Sequence, residues 1–149
     1  MRIEEEIKQP VFKDIYHKAY LNIIYTAGWL ELRQAESFKP YGLTLPQYNI
    51  LRILRGQHPK PATVNLLIER MLDKTSNASR IVDKLVTKKL VCRSQCEHDR
   101  RTVDVIITQA GLDLLAEIDN ENKMSQNGLT NITATEAEQL NQILDKIRG

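Results

Sequence analysis

The hydrophobic pattern of this chain changes its period after Leu90, and this change most constrains the fold. Before it, apolar residues recur every three or four positions, which is typical of amphipathic helices. Residues 102–108 instead alternate apolar and polar side chains, and residues 91–96 also have the pattern of a strand. A polar turn, residues 97–101, joins them. The sequence therefore predicts a set of helices followed by one β-hairpin.

Breaks in the helical pattern show where the individual helices start. Two starts are marked by capping boxes, in which a threonine and a residue three positions later satisfy each other's backbone amides. These are the pairs Thr44 with Gln47 and Thr133 with Glu136. The predicted helices begin near residues 9, 44, 62 and 75 before the hairpin, and near residues 109 and 133 after it.

This order of elements predicts a mostly α protein with a small β wing, that is, a winged helix-turn-helix. The helices on either side carry apolar faces that a lone winged helix has little core to cover, and a two-fold dimer would bury them. We therefore expect three regions. They are an N-terminal dimerisation helix (residues 1–38), a winged helix-turn-helix lobe (39–108) and C-terminal dimerisation helices (109–149).

The net charge of +2 conceals an uneven distribution along the chain. Residues 39–108 hold 13 Lys or Arg against 6 Asp or Glu, whereas residues 1–38 hold 5 against 6 and residues 109–149 hold 3 against 7. A basic central region between acidic flanks is typical of a surface that meets phosphates. The charge suggests duplex DNA as the partner of residues 39–108, but an ordinary solvated surface can carry the same uneven distribution, and the charge alone leaves both interpretations open.

The fourth predicted helix and the tip of the hairpin carry the side chains for such a partner. A recognition helix presents its N-terminal residues to base edges in the major groove, where Asn pairs with adenine and Arg with guanine. An arginine on a thin hairpin fits a narrow minor groove, and a neighbouring aspartate can hold its guanidinium. The candidate DNA-binding residues are Thr75, Ser76, Asn77, Ser79, Arg80, Lys84, Asp99, Arg100 and Arg101.

Other interpretations of these residues stay open. Ser and Thr also cap helices, and Arg and Lys on a helix surface are often simply solvated. A winged helix that docks proteins and ignores DNA is a second hypothesis, although Arg80, Lys84, Lys88 and Lys89 argue against it. An enzyme is the weakest hypothesis, because His17, His58 and His98 lie far apart in sequence and no glycine-rich phosphate loop is present.

Three motifs in this order resemble the MarR family of bacterial transcription regulators, over nearly the whole chain. The first is Tyr41-Gly42-Leu43-Thr44-Leu45-Pro46-Gln47-Tyr48-Asn49-Ile50-Leu51. The second is the run from Ser76 to Val91. The third, and the most specific, runs from Asp99 to Gly111 and contains an Asp-x-Arg wing followed by Thr-x-x-Gly.

The resemblance implies a homodimeric repressor that binds a pseudo-palindromic operator and is released from it by a small ligand. Arg101 matches the wing arginine that enters the minor groove, and Asp99 matches the acid that positions it. A small aromatic ligand would bind between the dimer helices and the lobe, and its candidate residues are Tyr20, Tyr25, Trp29 and Tyr48. The alternative, that these four aromatic residues only pack the core, stays open.

The two cysteines suggest neither a disulfide nor a metal site. If Cys92 and Cys96 share one strand, their Cα atoms lie roughly 13 Å apart, beyond the reach of about 7 Å for a disulfide. Their spacing with His98 matches no zinc pattern, so we expect no metal and no cofactor. A thiol-based redox sensor using Cys92 and Cys96 remains an alternative. No apolar run is long enough for a membrane span or a signal peptide, so we expect a cytoplasmic protein.

Overall fold

The computed structural model describes residues 1–95, 98–121 and 128–149. Two short segments lie between the helices: a 3₁₀ turn at Lys39–Tyr41 and the two-residue strand β1. In chain order the elements are α1 (Ile3–Glu6), α2 (Ile15–Phe38), α3 (Leu45–Gln57), β1 (Ala62–Thr63), α4 (Val64–Arg70), α5 (Ala78–Thr87), β2 (Val91–Gln95), β3 (Val103–Ile107), α6 (Gln109–Glu121) and α7 (Ala134–Arg148).

The N-terminal region differs from the prediction of one helix starting near residue 9. A short helix, α1, comes first, and Lys8 then adopts a left-handed conformation with φ of 53°. The long helix α2 begins only at Ile15, after Asp14. The Oδ1 atom of Asp14 accepts a hydrogen bond from the His17 amide at 2.7 Å. Such a cap satisfies an amide that has no partner within the helix, and it favours a start at this point.

The sheet has the strand order β1-β3-β2, and both pairs are antiparallel. The wing, defined here as β2, β3 and the turn between them, confirms the predicted hairpin. Residues 62 and 63 were expected to open a helix, but they form β1, in which Ala62 pairs with Val105. Thr63 then caps α4 by accepting a hydrogen bond from the Leu66 amide at 3.1 Å.

One hydrophobic core joins the sheet to the last residue of α2 and to helices α3 to α6. The core side chains come from every one of these elements, as expected when each amphipathic helix buries one face. Gln47 is the buried polar side chain among the described residues, and it receives hydrogen bonds from the Thr44 amide and from Lys88 Nζ. The fully buried core side chains include Phe38, Ile50, Leu51, Leu54, Leu67, Leu85, Val105, Leu115 and Ile118.

The junction between β3 and α6 explains the Thr-x-x-Gly motif. Thr108 Oγ1 donates to the Lys89 carbonyl at 2.9 Å and accepts from the Gly111 amide at 3.1 Å. The Thr108 amide donates to the Leu90 carbonyl at 3.0 Å. A Cβ at Gly111 would lie only 2.5 Å from that Leu90 oxygen and 2.6 Å from Ile107 Cγ1. Glycine therefore allows α6 to pack directly on the base of the wing.

The chain divides into two compact units. The first comprises Met1–Gln34 together with Ser125–Gly149, and the second comprises Ala35–Met124. The second unit contains the core described above, and it includes α6, whose Leu115 and Ile118 are completely buried. The predicted division at residues 38 and 108 is not tested by this grouping and stays a prediction.

The first unit buries very little apolar surface. Among its described residues, Ile3 of α1 is the one buried hydrophobic side chain. Large apolar residues on both long helices of this unit face solvent instead, which is unusual because such side chains normally find cover. On α2 these are Ile15, Tyr16, Tyr20, Ile23, Ile24, Tyr25, Trp29 and Leu32, and on α7 they are Leu140, Ile143 and Ile147.

The predicted fold class is confirmed. The chain is mostly helical and carries one small antiparallel sheet, as in a winged helix-turn-helix. Both predicted capping boxes are present, with Thr44 and Gln47 opening α3 and Thr133 and Glu136 opening α7. Within the described ranges, none of the helices has the length and apolarity that crossing a membrane requires.

Candidate nucleic-acid interface

Helix α5 has one buried face and one exposed polar face. Ala78, Val82 and Leu85 lie in the core at helical spacing. Ser79, Arg80 and Lys84 are exposed on the other side. Within the described part of the chain, neither Arg80 nor Lys84 forms an ion pair, since both are absent from every salt bridge there. Their charges are therefore available to an anionic partner, and we refer to α5 as the candidate recognition helix.

Asn77 caps the candidate recognition helix. Its Oδ1 atom accepts a hydrogen bond from the Arg80 amide at 3.1 Å. A bidentate contact with adenine needs both the oxygen and the nitrogen of the amide group. In this structure one lone pair of that oxygen serves the cap, so Asn77 has a structural role at the start of the helix. The role of Asn77 as a base-reading residue stays a prediction.

Thr75 and Ser76 lie in the loop before α5, although the sequence predicted a helix from about residue 75. Both hydroxyl groups donate to the carboxylate of Asp73, Thr75 Oγ1 at 2.6 Å and Ser76 Oγ at 2.8 Å. The Thr75 amide donates to the same carboxylate at 2.9 Å. These hydrogen bonds, from Thr75 first and then Ser76, hold the pKa of Asp73 below its usual range. The ionised Asp73 thus orders the loop, a role that sequence reasoning missed although Asp at a turn is a familiar signal.

Asp73→Ala is expected to weaken duplex binding by about tenfold or more, because the loop that presents Thr75 and Ser76 loses its three hydrogen bonds, each worth about 1 kcal/mol. If Asp73 merely repelled phosphates, the same substitution would tighten binding, so the sign of the change separates the two roles. Fluorescence anisotropy of a labelled duplex measures it. Glu117→Ala is the matched control, because it removes an exposed carboxylate from α6 and is expected to leave affinity unchanged.

The tip of the wing is organised by Asp99. Its Oδ1 atom accepts from the Arg101 amide at 2.9 Å, and its Oδ2 atom accepts from Thr102 Oγ1 at 3.1 Å. The sequence suggested that Asp99 holds a guanidinium, but the carboxylate instead bonds the backbone of Arg101. Arg100 and Arg101 are both exposed. The turn therefore fixes the backbone position from which the Arg101 side chain extends, and Arg101 stays exposed.

An ion pair between Asp83 and Arg93 connects α5 to the wing. The Arg93 guanidinium bonds the Asp83 carboxylate, and both side chains are about half exposed. An exposed pair of this kind contributes at most about 1 kcal/mol to stability. Its value lies in geometry, since it joins the exposed side of the candidate recognition helix to strand β2. Ten residues separate the partners, so no local pattern in the sequence points to the pair.

The four aromatic residues proposed for a ligand pocket lie in different surroundings. Tyr25 and Trp29 line a cavity of about 200 Å³ in the first unit. Tyr20, on the same helix, is exposed and does not line it. Tyr48 belongs to the second unit and stacks on the buried Phe38, with ring centroids 4.3 Å apart. This packing is the alternative that the sequence left open, and the ligand role of all four residues stays a prediction.

The cysteine hypotheses gain no support from the structure. Cys92 is a free, exposed thiol on β2, and Cys96 lies outside the described residues. In the described ranges no group of three or more His, Cys, Asp or Glu side chains is arranged to hold a metal ion.

Comparisons with known proteins identify relatives of this chain. The family model described as "MarR family" matches residues 41–102, from the turn before α3 to the tip of the wing. The HTH-type transcriptional regulator MgrA of Staphylococcus aureus is 26% identical over 110 residues, which cover 74% of this chain and 73% of MgrA.

Solved structures extend the similarity to nearly the whole chain. A MarR transcription factor from Planctomyces limnophilus superimposes with a TM-score of 0.68 at 27% identity, covering 93% of this chain and 98% of that one. A mutant MarR from E. coli, solved in complex with operator DNA, superimposes with a TM-score of 0.74 at 23% identity, covering 84% and 89%. The similarity to the E. coli MarR structure shows that the two chains have a common fold.

Proposed function

We propose that this chain, which is similar to transcription regulators of the MarR family over its winged lobe, is a homodimeric repressor that binds a pseudo-palindromic operator. One observation carries the proposal. The exposed polar face of α5 and the arginine tip of the wing belong to one lobe, and the basic charge of the chain is concentrated in that lobe.

The chemistry of the two elements suits two different grooves. In the proposal, α5 enters the major groove, which is wide enough to admit a helix, and Ser79, Arg80 and Lys84 face bases and phosphates. Arg101 enters the neighbouring minor groove, where a narrow A·T tract concentrates negative potential. The ion pair of Asp83 with Arg93 would keep the two elements at a constant separation, so that both grooves are met at once.

The dimer is supported by the exposed apolar side chains of the first unit. Tyr16, Tyr20, Ile23 and Ala27 follow one another at intervals of three or four residues on α2, and so form one stripe along the helix. Ile143 and Ile147 add exposed apolar surface on α7. A symmetric interface uses the same patch on both copies, and a second copy of this chain would cover these residues.

The proposed dimer suggests how the protein would repress transcription and how a ligand would release it from DNA. A dimer on an operator that overlaps a promoter excludes the polymerase. A small molecule that binds better to a form of the dimer with the wrong spacing of its two recognition helices would shift the population toward that form and release the DNA. The cavity beside Tyr25 and Trp29 is one candidate for such a binding site.

Selection of bound duplexes from a random DNA pool tests the proposal. We expect enrichment of a sequence with two inverted half-sites whose centres lie about 10 base pairs apart, since two-fold symmetry places two recognition helices about one helical turn apart. A pool that stays unenriched at low salt would contradict DNA binding, and a single unrepeated half-site would contradict the dimer.

A further inference from the structure

The first unit contains a cavity between α1 and α2 that no part of the proposed DNA interface uses. Its volume of about 200 Å³ is below the range of about 300–1,000 Å³ that drug-sized ligands occupy. It suits a molecule with a single ring. The lining residues are Met1 and Ile3, Glu6 at the end of α1, and Asn22, Tyr25, Thr26 and Trp29 on α2.

The cavity lies on the side of α2 away from the proposed dimer stripe. Residues Asn22, Tyr25 and Trp29 follow one another at helical spacing, as do Tyr20 and Ile23 of the stripe. The two series are offset by two residues, which is about 200° around an α-helix with 3.6 residues per turn. A second copy covering the stripe would therefore leave the cavity open to a ligand.

Among the described residues that line this cavity, Glu6 has the one carboxylate side chain. Glu6 is half-buried, and its Oε2 atom accepts a hydrogen bond from the Tyr25 hydroxyl at 2.6 Å. This hydrogen bond raises the pKa of Tyr25 above its usual value, so the phenol keeps its proton and remains a donor. Among the described residues that line the cavity, none is Lys, Arg or His. An anionic ligand would therefore lie beside the Glu6 carboxylate, and no Lys, Arg or His side chain of the described lining would offset that negative charge.

The Trp29 ring supplies the aromatic wall of the cavity. The Arg33 guanidinium lies 4.7 Å from the centroid of that ring, so the attraction for a cation is assigned to the Glu6 carboxylate and not to the ring. Asn22 and Thr26 add a side-chain amide and a hydroxyl, whose oxygens accept hydrogen bonds from an ammonium group. An apolar wall with one carboxylate and two neutral acceptors is complementary to a ring that carries a protonated amine.

We propose that the cavity between α1 and α2 binds a small aromatic amine in its protonated form, with Glu6 as the anionic anchor and Trp29 as the wall. The size of the cavity and its Tyr25 and Trp29 rings suit a single aromatic ring, and the Glu6 carboxylate suits a positive charge on that ring's substituent. Binding of the amine can be measured without DNA. Only the idea that the amine regulates the protein rests on the proposed function.

The sole tryptophan of the chain, Trp29, reports on this cavity through its fluorescence. The full-length protein is titrated without DNA with benzylamine, benzyl alcohol and benzoate, which share one ring and differ in charge. We expect a saturable change with benzylamine in the millimolar range or below, at least about tenfold weaker binding of the alcohol, and no saturation with benzoate. Equal or tighter binding of benzoate, or no saturation with benzylamine, would overturn the proposal.

Two variants separate the charge from the local structure. Glu6→Gln keeps a carbonyl oxygen for the Tyr25 hydroxyl and removes the charge, so benzylamine binding is expected to fall at least about tenfold. Glu5→Gln removes the same charge from a neighbour that does not line the cavity, and it is expected to bind as the unaltered protein does. Unchanged binding in Glu6→Gln, or an equal loss in Glu5→Gln, would contradict Glu6 as the anchor.

The titration and the duplex selection fail independently. If the selection fails while benzylamine saturates the Trp29 signal, the amine site stands and the proposed function is wrong. If the selection succeeds and the titration fails, the proposed repressor stands and the amine site is wrong.

Discussion

Arg101→Ala is expected to lower operator affinity by about 30-fold or more. A single base or groove contact by arginine is worth about 1–3 kcal/mol, and a dimer carries two wings, so the loss is about 2–6 kcal/mol. The Arg101 side chain is exposed while its backbone amide is fixed by Asp99, so the substitution removes the guanidinium without disturbing the turn. Fluorescence anisotropy with the selected operator, at several salt concentrations, measures both the affinity and the salt slope.

Two further variants sharpen this prediction. Arg101→Lys keeps the charge and loses the planar fork, so it is expected to bind with intermediate affinity if the minor groove is read by shape and charge. Arg148→Ala removes an arginine of similar exposure from the end of α7, where it pairs with Asp145, and is expected to have no effect. Full affinity in Arg101→Ala would show that the wing does not contact DNA.

Gly111→Ala is expected to destabilise the protein by about 1–3 kcal/mol, the usual cost of overpacking. The added Cβ would overlap the Leu90 carbonyl, which cannot retreat because it accepts a hydrogen bond from the Thr108 amide. Urea denaturation at a fixed protomer concentration measures the change in free energy of unfolding.

Gly56→Ala is the matched control for this substitution. Gly56 lies within α3, and a Cβ there meets no atom within 4 Å. Alanine is favoured over glycine inside a helix by roughly 0.5–1 kcal/mol, so this variant is expected to be more stable than the unaltered protein. The two glycine substitutions should therefore change stability in opposite directions, and equal stabilisation in both would contradict the close approach at Gly111.

The parts of the fold that depend on local chemistry were predictable from the sequence. The capping boxes at Thr44 and Thr133 join residues three positions apart in the sequence. The alternation of apolar and polar side chains in residues 103–107 reflects the one buried face of a strand. The buried and exposed sides of α5 follow from the same periodicity. Local patterns sufficed here because the interacting residues are close in the chain.

The parts that were missed depend on partners far apart in sequence. Ala62 forms a strand because it pairs with Val105, and the residues next to Ala62 in the sequence do not predict that pairing. The helix α1 has only four residues, too few to show a period, and its Ile3 is buried only because α1 folds back within the first unit.

At the candidate site, the sequence predicted which residues are exposed better than it predicted what they bond. Asn77 and Asp99 were assigned to DNA and to a guanidinium, yet in the structure one caps α5 and the other holds a backbone amide. Polar side chains beside free amides satisfy the backbone first, because an unpaired amide is costly. The assignment of the nine residues to DNA remains a prediction.

Among the described residues of the first unit, Ile3 is the one buried apolar side chain, and this has a consequence for how the activity of the protein depends on its concentration. In the proposed dimer, ordering of α2 and α7 and pairing of two chains become a single equilibrium, governed by mass action. Below the concentration at which two chains pair, a newly made protomer would have a folded winged lobe, but the apolar faces of its α2 and α7 would stay uncovered. Such a regulator would act above a threshold of abundance instead of in simple proportion to the number of copies synthesised.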